Sequence, residues 1–169
     1  MAEEFLCLMA EYSEEDQEKI AVWYDALQKA GFQGKQTPNL KHHISIGTFP
    51  LDKEEEAKER MQRMAAEYAP VQAAIRHVGV MPGGSVLFAA PDMRENLVSL
   101  QKATGCETVT GHRWLPHTTM LIDEPEVIGR ALPELMKHFV PIPATIDRLE
   151  LCAFWPTRHI LTVELKGSK

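Results

Sequence analysis

Two turn signals restrict what this chain can fold into. Pro82-Gly83-Gly84 separates two short apolar stretches, residues 71–81 and 85–90. Trp155-Pro156-Thr157 separates two more, residues 145–153 and 159–165. Turn chemistry between strand-like runs reads as β-hairpins, and a hairpin commits its strands to antiparallel pairing. The rest of the chain alternates strand and helix. Its first half reads strand, helix, strand, helix, hairpin, and its second half reads helix, strand, helix, hairpin. The spacing therefore predicts an α+β protein rather than a doubly wound parallel sheet. The coarse duplication predicts two pseudo-symmetric lobes of antiparallel sheet with flanking helices and a central cleft. Each lobe is expected to come mainly from one half of a single domain, residues 1–169.

The individual elements follow from local chemistry. Residues 4–12 (EFLCLMAEY) read as a strand. Ser13 is a candidate N-cap, followed by Glu14, Glu15 and Asp16 in the first turn. Ile20, Trp23, Tyr24 and Leu27 recur at helical spacing, and Gly31 closes the helix. Residues 41–48 (KHHISIGT) form a second strand. A helix then starts at Asp52, with Ala57, Met61, Met64 and Tyr68 on one stripe. A third helix is expected over 91–103 with Pro91 near its start, and a strand over 114–122 (WLPHTTMLI). The fourth helix begins at Glu124-Pro125 and buries Val127, Ile128, Ala131, Leu135 and Phe139. Pro133 inside it predicts a kink or break.

Composition excludes several classes. With 44% hydrophobic and 25% charged residues in 169, the chain has the make-up of a globular protein and is too apolar for disorder. No apolar run reaches the roughly 20 residues that span a bilayer, so no membrane association is expected. The opening Met-Ala-Glu-Glu lacks a basic segment ahead of an apolar one, which argues against a secretory signal. Cys7, Cys106 and Cys152 are widely spaced and odd in number, which fits a reducing, cytoplasmic setting rather than a disulfide framework. The net charge of −6 argues against duplex DNA or RNA as a partner, since such binding needs many phosphate contacts from Lys and Arg.

The chemistry lies in a repeated tetrapeptide. His43-Ile44-Ser45-Ile46 in the first half matches His117-Thr118-Thr119-Met120 in the second. Strand periodicity places His43 and Ser45 on one face, and likewise His117 and Thr119. Facing each other across a cleft, two imidazoles and two hydroxyls suit phosphodiester chemistry with no metal and no cofactor. Histidine titrates near 6.5, so one ring can take a proton from the attacking oxygen and the other can give one to the leaving oxygen. The hydroxyls can donate to non-bridging phosphate oxygens.

At these residues the chain resembles the two-histidine (2H) phosphoesterases, the 2′-5′ RNA ligase-like superfamily, whose signature is two copies of His-x-Ser/Thr-x. Pro116 and the preceding Trp114-Leu115 also look like the lead-in to that family's second motif. The resemblance implies a hydrolase acting on a 2′,3′-cyclic phosphate or a 2′-5′ phosphodiester of a small nucleotide or RNA terminus. It also implies His43 and His117 as the catalytic pair and Ser45 and Thr119 as phosphate binders. Several RNA-processing members carry a basic residue shortly after the second motif, where this chain has Leu121-Ile122-Asp123. A phosphate-binding cation would then come from Lys41, Arg76, Arg113 or Arg158. A non-catalytic nucleotide or RNA-end binding module of the same fold remains the alternative, as does another phosphoester such as an ADP-ribose cyclic phosphate.

Competing readings are weaker. His42 should point away from His43 and serve structure. His42, His43, His112, His117 and Cys106 do not follow a zinc-binding spacing. Cys106 has no local base to make it a nucleophile. The methionines fit helix stripes. Trp114, Trp155 and Phe88 are candidates for base stacking or cleft lining as well as for burial.

Overall fold

Ser13 ends the first strand and starts the first helix. The structure, a computed structural model, describes residues 3–169. Strand β1 (Phe5–Tyr12) runs into helix α1 (Glu14–Lys29), where the Ser13 hydroxyl accepts from the Asp16 N–H at 3.3 Å. Ile20, Trp23 and Leu27 are buried as the stripe predicts. Gly31 lies beyond the last turn at φ +93°, a conformation that costs glycine little. Its N–H donates to the Gln28 carbonyl and that of Phe32 to the Leu27 carbonyl, both at 3.0 Å, closing the helix with a Schellman motif.

Strand β2 (His43–Phe49) follows, then a short 3₁₀ turn at Leu51–Lys53 and helix α2 (Glu54–Glu67). The expected strand over 71–81 is divided into β3 (Val71–Gln72) and β4 (Ile75–Val80), and β5 (Val86–Pro91) returns from the glycine turn. Pro91 therefore ends a strand instead of opening a helix. It lies past the Ala89–Thr118 pair where β8 stops, so its missing N–H breaks no bond on that side. Helix α3 spans only Glu95–Lys102. A small hairpin, β6 (Thr108–Val109) and β7 (His112–Arg113), has no counterpart in the sequence reading. Strand β8 is Thr118–Ile122, helix α4 is Pro125–His138, and the chain closes with β9 (Thr145–Phe154) and β10 (Arg158–Glu164).

Helix α4 runs through Pro133 without a break. Gly129, whose carbonyl loses its partner, and Pro133 are both away from the core, while Ile128, Ala131 and Leu135 are buried. The unmade bond lies on the water side, where solvent replaces it, and the apolar face holds the helix in place.

Antiparallel pairing builds one sheet in the order β10-β9-β1-β2, with β3 joining the start of β9, and another in the order β4-β5-β8. The α+β class and antiparallel sheets match the expectation. The sheets do not follow the sequence halves. The last hairpin, β9–β10, pairs with β1, and the first, β4–β5, pairs with β8, so each sheet takes strands from both halves. Helix α2 covers the first sheet, and α1 and α4 pack on each other beside the second. One face of β1 (Leu6, Leu8, Ala10, Tyr12) enters the main core with Ile44, Ile46, Leu149, Leu151 and Met61. The other face of the first sheet carries Cys7, Met9, Cys152 and Phe154 in a separate apolar cluster. No helix among the described residues is long and apolar enough to cross a membrane.

Candidate functional site

Strand alternation aims the first motif away from the main core. Ile44 and Ile46 are fully buried in it, so His43 and Ser45 emerge on the opposite face of β2. Their partners on β1 are Glu11 and Met9. The second motif is seated in the same way. Met120 is buried, His117 stands at the threshold of β8, and Thr119 pairs with Phe88 on β5.

The two sheets meet where β2 and β8 lie against each other. Two bonds fasten this junction. The Tyr12 and Thr118 hydroxyls are 2.8 Å apart, both buried, tying β1 to β8. The Trp114 indole N–H donates to the Ser45 carbonyl at 3.0 Å, tying the segment before β8 to β2. Thr118 occupies the motif's unspecified position, yet its hydroxyl helps bring the two motifs together. Only its buried place in an otherwise apolar strand hints at this.

Both imidazoles are held alike. His43 Nδ1 lies 2.7 Å from the Lys41 carbonyl and His117 Nδ1 lies 2.8 Å from the Leu115 carbonyl, in each case two residues upstream. A carbonyl only accepts, so each Nδ1 carries a proton and donates it. Each Nε2 is then the unprotonated nitrogen of the neutral ring, open to accept a proton. Burial lowers the pKa of both rings. The Lys41 carbonyl and the charge of Glu150 partly offset this for His43, and the Leu115 carbonyl does so for His117. Repulsion from His117 lowers His43 further, and repulsion from His112 does the same for His117. The Ser45 and Thr119 hydroxyls have no protein hydrogen-bond partner at normal distance among the described residues, although Ser45 lies beside the buried Cys7 thiol.

Of the aromatic candidates, Phe88 is the one in contact with a motif histidine. It is buried and packs edge-on against His117, with ring centroids 5.4 Å apart. Trp114 is half-buried in the junction rather than presented as a stacking surface. Trp155 is 46% exposed; its indole N–H donates to the Thr37 hydroxyl at 3.0 Å, and its edge meets Phe5 at the far end of the first sheet. His42 packs against Tyr24 of α1 and exchanges backbone hydrogen bonds with the Gln17 side chain, as a structural residue should. Burial lowers its pKa to about 4. Cys106 donates its thiol proton to the Thr48 carbonyl at 3.5 Å. Lys41 is paired with Glu14, Arg76 with Asp92, and Arg158 with Glu3 and Glu54. Arg113, on β7, has no ion pair among the described residues. A groove of about 670 Å³ between α2 and β10 shares none of these residues.

Sequence reasoning missed an acidic neighbour of His43. Glu11 and Glu150 lie on the same face of the first sheet as His43, both buried, and Glu150 contacts His159 of β10. Burial and the adjacent carboxylate raise Glu11 to about 8, so Glu11 holds the proton between them.

The comparisons with known proteins agree with this architecture. The crystal structure of TT0787 from Thermus thermophilus superposes with a TM-score of 0.66 at 19% identity, covering 98% of this chain and all of that one. Apo LigT from E. coli gives 0.64 at 16% identity over 99% of this chain and all of that one. LigT complexed with 3′-AMP gives 0.61 at 16% identity over 98% and all of that chain. At such identities the likeness speaks for the fold. No curated protein matches the sequence closely enough to carry an assignment. The family model described as the 2′-5′ RNA ligase superfamily matches residues 16–154, a span that holds both His-x-hydroxyl motifs, and the chain belongs to that family of phosphoesterase type.

Proposed function

We propose that the protein hydrolyses a 2′,3′-cyclic phosphate or a 2′-5′ phosphodiester of a nucleotide or RNA end, with His43 and His117 as general acid and base. The observation that carries this reading is the matched seating of the two imidazoles, each with Nδ1–H given to a carbonyl and Nε2 left for proton transfer. One Nε2 removes a proton from the attacking water as its oxygen bonds to phosphorus. The other, protonated, gives its proton to the departing ribose oxygen as that bond breaks. Both proton transfers are thus supplied by side chains, and the product is a phosphomonoester with a free hydroxyl. Ser45 and Thr119 donate to the non-bridging oxygens, where charge gathers, and Arg113, with no ion pair among the described residues, is the candidate to add a positive charge. The 3′-AMP complex of the E. coli relative supports a nucleotide phosphate as the occupant.

The test is to incubate the chain with 2′,3′-cyclic nucleotides and with a 2′-5′-linked dinucleotide in EDTA and to follow products by chromatography. Turnover of at least one substrate at a rate EDTA leaves unchanged is expected. Nucleotide affinity by calorimetry with no product from either would instead make this a binding module, a reading favoured by the net charge of −6.

The close fit of Phe88 to His117 gives a second expectation. Gly79 is the cross-strand partner of Phe88, and a Cβ there would lie 2.5 Å from the Phe88 ring. Gly79→Ala must displace that ring and with it His117. Misplacements of about 1 Å cost up to roughly 10²-fold in rate, so kcat should fall about 10- to 100-fold, with a loss of stability of about 1–3 kcal/mol from the overpacked ring. An unchanged kcat would show that Phe88 does not position the imidazole.

A further inference from the structure

Another cluster, on the face of the first sheet that carries His43, has the composition of a metal site and takes no part in the proton transfers proposed above. Glu150 and Cys152 are two residues apart on β9, so both project from the same face. His159 on β10 is the direct cross-strand partner of Cys152. Their ligand atoms all lie within 4.8 Å of one another. The Cys152 sulfur is 3.4 Å from Glu150 Oε1 and 3.4 Å from His159 Nδ1. Metal–ligand lengths of about 2.3 Å to sulfur and 2.0–2.2 Å to nitrogen and oxygen set the edges of a tetrahedral zinc site at roughly 3.4–3.6 Å. Two of the three edges are therefore near those lengths before any ion enters. The third is a direct His159–Glu150 hydrogen bond, which would open on binding.

The surroundings favour a cation. Glu150 and Cys152 are buried, at 7% and 0% exposure, and Glu11 reaches Glu150 from β1. Two carboxyl groups and a thiol thus share one side of a sheet, and a cation bound there would take the place of the proton that Cys152 gives to Glu150. The side chain of His159 is 53% exposed, which leaves an entry path from solvent. Thiolate and imidazole select a borderline or soft ion over Mg²⁺ or Ca²⁺, which require oxygen ligands.

We propose that Glu150, Cys152 and His159 form a binding site for one zinc-class divalent cation, with Glu11 or water completing four-fold coordination. The site takes no ligand from His43, His117, Ser45 or Thr119, although Glu150 lies near enough for its charge to act on His43, so zinc binding is measured directly rather than through turnover.

The test uses the full chain freed of metal by a chelator. Zn²⁺ is titrated against a chromogenic chelator, Mg²⁺ serves as the comparison ion, and Co²⁺ serves as a spectroscopic probe. One Zn²⁺ per chain is expected, with no competition from Mg²⁺, and the Co²⁺ form should show thiolate-to-metal charge-transfer absorption. Cys152→Ser should lose that absorption. His159→Ala, on an exposed edge strand that tolerates substitution, should weaken Zn²⁺ binding by more than about 100-fold, beyond what outer-shell partners cost. Cys106→Ser should bind as the parent does. Failure to bind Zn²⁺ stoichiometrically, a Co²⁺ spectrum without thiolate character, or equal binding by His159→Ala would each overturn the proposal. None of these outcomes bears on the EDTA-treated hydrolysis assay.

Discussion

His43→Ala and His117→Ala should each lower kcat/KM for a cyclic phosphate by about 10²–10⁴-fold, the range of one positioned proton transfer. The double variant should fall little below the weaker single one. In the proposed mechanism acid and base act in the same transition state, so removing either already forfeits most of what the pair provides, and such effects are far from additive. The structure supplies an independent check. Repulsion from His117 helps hold the His43 pKa down, so in His117→Ala the remaining imidazole should titrate at higher pH, visible in its NMR shift. Both rings are half-buried and bonded only to a local carbonyl through Nδ1. Truncation should therefore leave the melting temperature nearly in place. Two purely structural histidines would give the reverse result, with stability lost and turnover intact.

What the sequence disclosed and what it hid divide along physical lines. Signals confined to one element were legible. Ser13 caps α1 because a hydroxyl just before an acidic turn has an orphan N–H to accept from. The alternation in residues 43–46 fixed which face of β2 carries the histidine. Signals that depend on what a residue meets elsewhere were not legible. Pro133 forecasts a break from its own chemistry, but the outcome depends on the unmade bond facing water. Pro91 looks like a helix start until its position beyond the end of β8 is known. The exchange of hairpins between sheets is a long-range choice that leaves no local trace, so the duplication in pattern suggested lobes made from halves.

The site shows the same division. His43, Ser45, His117 and Thr119 stand out as candidates because the pattern repeats. Glu11 and Glu150 were not, because each is a single acid in an alternating strand, indistinguishable from a solvated one until the strands pair. Thr118 was passed over as the filler of its motif, although its hydroxyl meets Tyr12 between the sheets. Residues 108–113 were missed as a hairpin because two-residue strands have no periodicity to detect. Trp114 and Trp155 were equal candidates by composition, and the neighbours of each separate them: the Ser45 carbonyl for one, and Thr37 and Phe5 on an exposed rim for the other.

The pH dependence follows from the same burial. The productive form needs one imidazole neutral and the other protonated, so kcat/KM should trace a bell whose limbs report the apparent pKa values of the pair. Both rings sit below the ordinary 6.5 in the free protein, chiefly through burial. The optimum of kcat/KM should therefore lie on the acid side of 6.5. Above the higher apparent pKa the acid has lost its proton, and below the lower one the base is blocked, so the rate should drop about tenfold per unit on either side. A bound phosphate reverses part of the shift. Its negative charge favours imidazolium, so the bell for kcat, which reports the complex, should move to higher pH than the bell for kcat/KM. His42 complicates only the acid side. Its unfolded form takes a proton near 6.5 and its folded form only near 4, so the unfolded chain binds more protons across that window and stability declines as pH falls through it. Circular dichroism at each pH separates this loss from titration of the site. A kcat/KM optimum on the alkaline side of 7, or a single sigmoid limb with fully folded protein, would mean that the two histidines do not share the proton transfers.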